Sequence, residues 1–108
     1  MIARIWTART TPGKAPAYAH YLRTHVFSQL RGLDGHLQSL LLEREANGTI
    51  EVQVITFWRS LDAIRVFSGA DVEAAVVTDT AKALLLEFDQ RARHFTVAEA
   101  DGALGAGA

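Results

Sequence analysis

The sequence predicts one α+β domain in which four antiparallel strands carry helices on one face, in the order βαββαβ. Three observations support this fold class. A chain of 108 residues has the usual length of a single domain. Runs rich in β-branched and aromatic residues alternate with runs of helical periodicity. An Asn-Gly pair, which strongly favours a tight hairpin, joins two of the extended runs.

The first strand is predicted over Ile2–Arg9, because the turn-forming sequence Thr10-Thr11-Pro12-Gly13 stops the extended pattern there. From about Ala15 the apolar residues recur at helical spacing. This periodicity predicts one long amphipathic helix that ends near Gly32. Its apolar stripe consists of Tyr18, Leu22, Val26, Leu30 and Leu33.

Two further strands are predicted over His36–Glu45 and Thr49–Trp58. The second of these runs is β-branched and aromatic almost throughout, as strands favour. Because the turn at Asn47-Gly48 separates the two runs, we expect them to be antiparallel neighbours.

A short helix over 61–68 is predicted between the N-cap residue Ser60 and the terminating Gly69. Asp71 is a further N-cap candidate, and Thr78 or Asp79 is expected to open a second helix. One face of that helix would carry Ala81, Leu84, Leu85 and Phe88.

The last strand is predicted over Arg91–Val97, which completes the split βαβ arrangement called ferredoxin-like. Residues 1–99 form the domain in this interpretation, and the small-residue tail 100–108 is expected to be disordered. Neither alternating face of the sheet is polar enough for a solvated surface. We therefore expect a homodimer formed by sheet-to-sheet packing, burying upward of about 2,000 Å².

Composition excludes several classes of function. Eleven basic against twelve acidic side chains give a net charge of -1, which argues against a nucleic-acid surface. The absence of cysteine removes disulfides, thiolate metal sites and a thiol nucleophile. No phosphate-binding glycine loop and no membrane-length apolar run occurs. We expect a cytoplasmic protein without cofactor or metal and without a nucleic-acid or membrane partner.

The stretch Trp58–Gly69 (WRSLDAIRVFSG) resembles a signature of the antibiotic biosynthesis monooxygenase family. The similarity extends to Ala75–Val77, to Leu84-Leu85 before Phe88-Asp89, and to Arg93–Val97. It implies a dimeric α+β barrel. Within that family the resemblance implies no single reaction, since relatives include quinone-forming monooxygenases, haem-degrading enzymes and isomerases. Positions where the family often has an acidic residue or proline differ here: they are Ala70, Val72 and Thr78.

His94 and Trp58 are the candidate catalytic residues. An imidazole suits proton abstraction from a phenol or enol near neutral pH, and an indole offers a flat apolar face for an aromatic substrate. Two interpretations are open for each, because a histidine bonded to backbone or a core tryptophan would have the same place in the sequence. The candidate substrate-binding residues are His25, Tyr21 and Phe67.

Two functional hypotheses follow. The first is a cofactor-independent monooxygenase that oxidises a small phenol or quinol with O2. The second is a non-catalytic or stress-related dimer of the same fold that binds a small ligand. A core filled by Trp58, Phe67 and Leu85 would favour the second hypothesis.

Overall fold

The computed structural model describes residues 1–102, so most of the predicted tail, 103–108, lies outside the described residues. One helical region contains two α-helical parts joined by a π-helical segment, Leu22–Val26. The elements are β1 (Ile2–Thr10), α1 (Ala15–Tyr21), α2 (Phe27–Leu30), β2 (His36–Ala46), β3 (Thr49–Trp58), α3 (Leu61–Ser68), α4 (Asp79–Leu84), β4 (Glu87–Phe88) and β5 (Arg93–Thr96).

The strands form one antiparallel sheet in the order β2-β3-β1, and both β4 and β5 pair with the remaining edge of β1. The short β4 lies beside Ala8 and Arg9, whereas β5 lies beside Ile2–Ile5. The ferredoxin-like prediction is therefore confirmed, with a fifth strand. The prediction had one continuous last strand, whereas here the edge of β1 is shared by two short ones.

The hairpin between β2 and β3 has the predicted turn. Asn47 and Gly48 both have positive φ, 53° and 79°, which is the geometry that matches the twist of paired strands. The register runs from Ala46 opposite Thr49 to His36 opposite Trp58, with an irregularity near His36 and Gln38. The strand predicted over Thr49–Trp58 has the observed bounds.

The predicted long amphipathic helix forms as one continuous helical region over residues 15–30, but its middle, Leu22–Val26, is π-helical, which the prediction did not include. The apolar stripe steps by four residues, from Tyr18 through Leu22 and Val26 to Leu30, so in an α-helix it would drift by about 40° per step. A π-helical turn contains more residues than an α-helical turn and offsets that drift. Tyr18, Leu22 and Leu30 are accordingly all buried.

Two details of the last third differ from prediction. Helix α4 ends at Leu84, so Leu85 is extended and Phe88 lies in β4 rather than on the helix. Asp71 caps no helix, because its carboxylate instead accepts from the backbone N–H of Glu73 and pairs with Arg91. The predicted caps Ser60 and Thr78 are confirmed, since each side chain accepts from a backbone N–H three residues on.

The helices cover the sheet face that carries the even-numbered residues of β1 and β3. One buried cluster lies around Tyr18, Leu22 and Val52, and another around Leu30, Trp58 and Ile64. The opposite face has no covering layer among residues 1–102. None of the helices in this part of the chain has the length and apolar content needed to cross a bilayer.

Helix α3 packs closely against Gly35, the residue just before β2, and a substitution at Gly35 tests how much this contact stabilises the fold. Gly35 has a φ of 91°, its carbonyl accepts from the N–H of Arg59, and an added Cβ would lie 2.5 Å from the Cβ of Ala63. Gly35→Ala should therefore lower the free energy of unfolding by about 3 kcal/mol, from positive-φ strain plus the clash. Urea denaturation measures the loss.

Gly48→Ala is the matched control, because Gly48 also has a positive φ but has open space where the Cβ would be added. It should cost only about 1 kcal/mol, the strain without the clash. Equal losses in the two variants would show that the packing of α3 on Gly35 contributes nothing.

Candidate functional site

A cavity of about 320 Å³ lies between the helices and the sheet. The sheet forms its floor, the helical region around the π-helical segment forms one wall, and the connection between α3 and α4 forms another. Its lining residues are Arg4, Trp6, Tyr18, Tyr21, Leu22, His25, Val26, Gln29, Leu30, Val54, Thr56, Phe67, Val76, Val77, Thr78, Thr80 and Ala81.

Most of the lining is apolar or aromatic, and its aromatic side chains are fixed by specific contacts. The Trp6 indole N–H donates to the carbonyl of Asp89 at 2.7 Å, and its ring lies 6.1 Å from that of Phe88. Tyr18 is almost fully buried, and burial together with nearby Tyr21 raises its pKa above the ordinary value. Tyr18 therefore stays a neutral wall residue.

Tyr21 and His25 both line the cavity with their rings stacked 5.4 Å apart; Tyr21 is buried, whereas His25 is exposed. The Tyr21 hydroxyl lies 2.5 Å from Oγ1 of Thr78, the residue that caps α4. This contact joins the helical wall to the opposite wall. The π-helical segment contains His25, and such segments often occur at functional sites.

The hydrogen bonds around His25 fix which ring nitrogen carries the proton. The hydroxyl of Thr24 donates its one hydrogen to the carbonyl of His20 at 2.8 Å. Thr24 Oγ1 also lies 2.8 Å from Nδ1 of His25, so here Nδ1–H must be the donor. Nε2 of neutral His25 consequently keeps a free lone pair.

Among residues 1–102, Arg4 is the only arginine or lysine in the lining, and it is buried, with 5% of its surface exposed. Its guanidinium donates to the carbonyls of Val72 (2.5 Å) and Ala74 (2.9 Å) and stands 5.8 Å from the centre of the Phe67 ring. Burial lowers the pKa of Arg4 to about 10. Even so, Arg4 is cationic at neutral pH.

His94 lies behind Arg4, outside the cavity lining. It is opposite Arg4 across β1 and β5, and its Nε2 is 2.9 Å from Nη1 of Arg4. Because a guanidinium can only donate, Nε2 of His94 is the acceptor and Nδ1 carries the proton. Burial, and then the charge of Arg4, lower the pKa of His94, while Glu73 raises it slightly. His94 is thus held neutral.

Trp58 also lies outside the lining and is fully buried. Its indole N–H donates to Oγ1 of Thr56 at 2.8 Å, and its ring stacks on Phe67 at 6.2 Å. The ring of His36 packs against the indole in a T-shaped arrangement, with the ring centres 5.2 Å apart. Trp58 therefore supports two residues that do line the cavity.

Of the residues predicted from the sequence, His25, Tyr21 and Phe67 line the cavity. His94 and Trp58 do not line it, but each contacts residues that do. The sequence interpretation missed Arg4 and Thr56. A signal existed for Arg4, because it is a lone charge between Ile2 and Trp6 on the alternating apolar face of β1. Within residues 1–102 no three histidine or acidic side chains are grouped as metal ligands.

No protein-family model matches the chain, and no curated protein is significantly similar to it. Solved structures do match. A candidate antibiotic biosynthesis monooxygenase from Bacillus cereus superposes with a TM-score of 0.68 at 15% identity, covering 95% of this chain and 96% of that one. The corresponding protein from Deinococcus radiodurans gives 0.66 at 20% identity, with 97% and 100% covered.

A third match, from Chloroflexus aurantiacus J-10-fl, is also a candidate antibiotic biosynthesis monooxygenase. Its TM-score is 0.60 at 16% identity, with 94% of this chain and 96% of that chain covered. At such low identities the comparison bears on architecture alone. The chain has the fold of the antibiotic biosynthesis monooxygenases over nearly its whole length.

Proposed function

We propose that this protein binds a small phenol- or quinol-type aromatic compound in the cavity and oxidises it with O2 without a cofactor. One observation carries the proposal: an apolar cavity is lined by a histidine whose Nε2 is free and by a buried cation from the sheet. A volume of about 320 Å³ is at the lower end of small-molecule sites and suits a compound of one or two rings.

The chemistry needs little from the protein. A phenol plus O2 gives a quinone plus water, and a quinol plus O2 gives a hydroxyquinone plus water. In both reactions the substrate itself supplies all four electrons, so no external reductant is required. Proton removal makes the ring electron-rich enough to react with O2. The protein's tasks are to remove that proton, to stabilise the resulting anion and to exclude water.

We assign the base to Nε2 of His25, because His25 lines the cavity and its lone pair is free. Tyr21 and Phe67 are the binding walls. His94, the base predicted from the sequence, has its Nε2 engaged by Arg4. We therefore propose that His94 acts as a positioning residue through Arg4, and that Trp58 acts likewise through Thr56 and Phe67.

A non-catalytic ligand-binding dimer is the alternative. It would use the same cavity, but ligands would leave unchanged. Trp58 is fully buried and Leu85 packs against a buried cluster, whereas Phe67 packs on Trp58 and also lines the cavity. These three side chains therefore do not close the core, and the remaining cavity is compatible with a bound ligand in both hypotheses. The two hypotheses are distinguished by whether the bound compound is oxidised.

His25→Gln should reduce kcat for O2-dependent quinol oxidation about 100-fold with little change in KM, as expected for loss of a general base. Oxygen uptake and quinone absorbance, normalised to folded protein, measure the effect. His20→Gln is the control, since His20 is exposed on the same helical region but does not line the cavity.

An unchanged rate per folded His25→Gln molecule would remove His25 from the mechanism. If the wild-type protein binds phenols and quinols but oxidises none of them, the monooxygenase proposal fails and the ligand-binding alternative stands.

We further propose that the protein is a homodimer joined through the outer sheet face. The apolar centre of this face lies on the central strands β1 and β3, and exposed apolar side chains extend it onto the edge strands at Phe95 (48%) and Leu42 (46%). Charged residues surround it, among them the pairs Arg9–Glu87 and Arg44–Glu51. An apolar centre with a charged rim is the usual composition of an interface. The other apolar side chains of this face are Ile5, Leu40, Ile55 and Phe57.

Light scattering at micromolar concentration should give twice the 11.8 kDa mass of one chain. Phe95→Lys should produce monomers, because it puts a charge into the apolar part of the interface on β5. Val66→Lys is the control, since Val66 is 72% exposed on α3, in the helical layer. A monomeric wild-type protein, or dissociation by Val66→Lys alone, would contradict this interface.

A further inference from the structure

Two of the N–H donors of the Arg4 guanidinium have no hydrogen-bond acceptor among residues 1–102. It carries five hydrogens. Nη1 uses two of them on Val72 and His94, and Nη2 uses one on Ala74. Among residues 1–102 no acceptor meets Nε–H or the second hydrogen of Nη2, and no carboxylate pairs with Arg4. None of its three partners lines the cavity, whereas Arg4 itself does.

A third donor lies beside Arg4. Thr56 pairs directly with Arg4 across β1 and β3, on the same face of the sheet, and it also lines the cavity. Its Oγ1 accepts the indole N–H of Trp58. The hydroxyl hydrogen of Thr56 is therefore left to donate. This end of the cavity offers three hydrogen-bond donors and a buried positive charge, with no acceptor between them.

We propose that Arg4 and Thr56 form an anion-binding end of the cavity, and that its natural ligand is an aromatic compound carrying a carboxylate. This inference rests on the proposed function in taking the cavity as the ligand site, and it narrows the substrate class to hydroxylated aromatic acids. A buried cation without a counter-ion is costly, and a bound carboxylate would remove that cost.

A carboxylate fits this end better than a phosphate group does. Nε–H and Nη2–H lie on one edge of the planar guanidinium and match the two oxygens of a carboxylate. A phosphate dianion would call for further cations. The lining supplies no other arginine or lysine.

The surrounding contacts explain how the site is held. His94 and two backbone carbonyls, none of which lines the cavity, accept three guanidinium hydrogens and so hold the guanidinium in place. The indole of Trp58 orients the Thr56 hydroxyl in the same way. The two residues predicted as catalytic from the sequence thereby act as positioning residues.

Isothermal titration calorimetry with two probes tests the inference. At pH 7, 4-hydroxybenzoate carries a carboxylate, whereas 4-hydroxybenzamide has the same shape and no charge. The wild-type protein should bind the benzoate at least about tenfold more tightly, as expected when hydrogen bonds to charged groups are added. Arg4→Met should abolish this preference, and Thr56→Val should reduce it.

Arg23→Met is the control for loss of a positive charge, because Arg23 is exposed and does not line the cavity; it should keep the preference. Equal wild-type affinity for the two probes would overturn the inference, and so would a preference that survives in Arg4→Met. If Arg4→Met does not fold, the wild-type comparison and Thr56→Val decide.

Neither probe needs to be oxidised, so this test is independent of turnover. A carboxylate preference without oxidation of any phenol would leave the anion site standing and defeat the monooxygenase proposal. Oxidation of neutral quinols without a carboxylate preference would support the monooxygenase proposal and overturn the anion site.

Discussion

The buried charge of Arg4 is the constraint on which the rest of the site depends. A guanidinium withdrawn from water must have its hydrogens satisfied, and here the carbonyls of Val72 and Ala74 and a ring nitrogen of His94 do so. These bonds attach the connection between α3 and α4 to the first and last strands. The same connection then supplies Val76, Val77 and Thr78 to one wall of the cavity, so the contacts of the cation also shape the space for a ligand.

The arrangement gives up stability that a close-packed core would have. The side chains around the cavity, such as Phe67, make fewer van der Waals contacts than they would in a filled core. The buried guanidinium of Arg4 also loses its hydration, and no acidic side chain among residues 1–102 compensates for this cost. Sites where folded proteins tolerate such costs are commonly those that a ligand completes. Trp58, which holds Thr56 and Phe67 of the cavity lining, is fully buried and packs against both His36 and Phe67.

Local signals in the sequence were sufficient for much of the fold. The hairpin at Asn47-Gly48 and the capped helix after Ser60 form as expected because turn and cap preferences act within a few residues. The π-helical segment was missed, although the strict four-residue spacing from Tyr18 to Leu30 contained the information. Arg4 and Thr56 could not be paired from sequence, since their contact depends on the register between β1 and β3. His94 was singled out for its chemistry, but only the register with β5 shows that its lone pair is already engaged.

The bond between Arg4 and His94 can be observed directly by ¹⁵N NMR of the histidine side chains across a pH titration. Nε2 of His94 should be unprotonated at pH 7 with the proton on Nδ1, and protonation should begin only below the ordinary pKa of histidine, because burial and the charge of Arg4 both oppose it. In Arg4→Met the pKa should rise. A His94 that carries its proton on Nε2, or that titrates identically in the two proteins, would contradict the account.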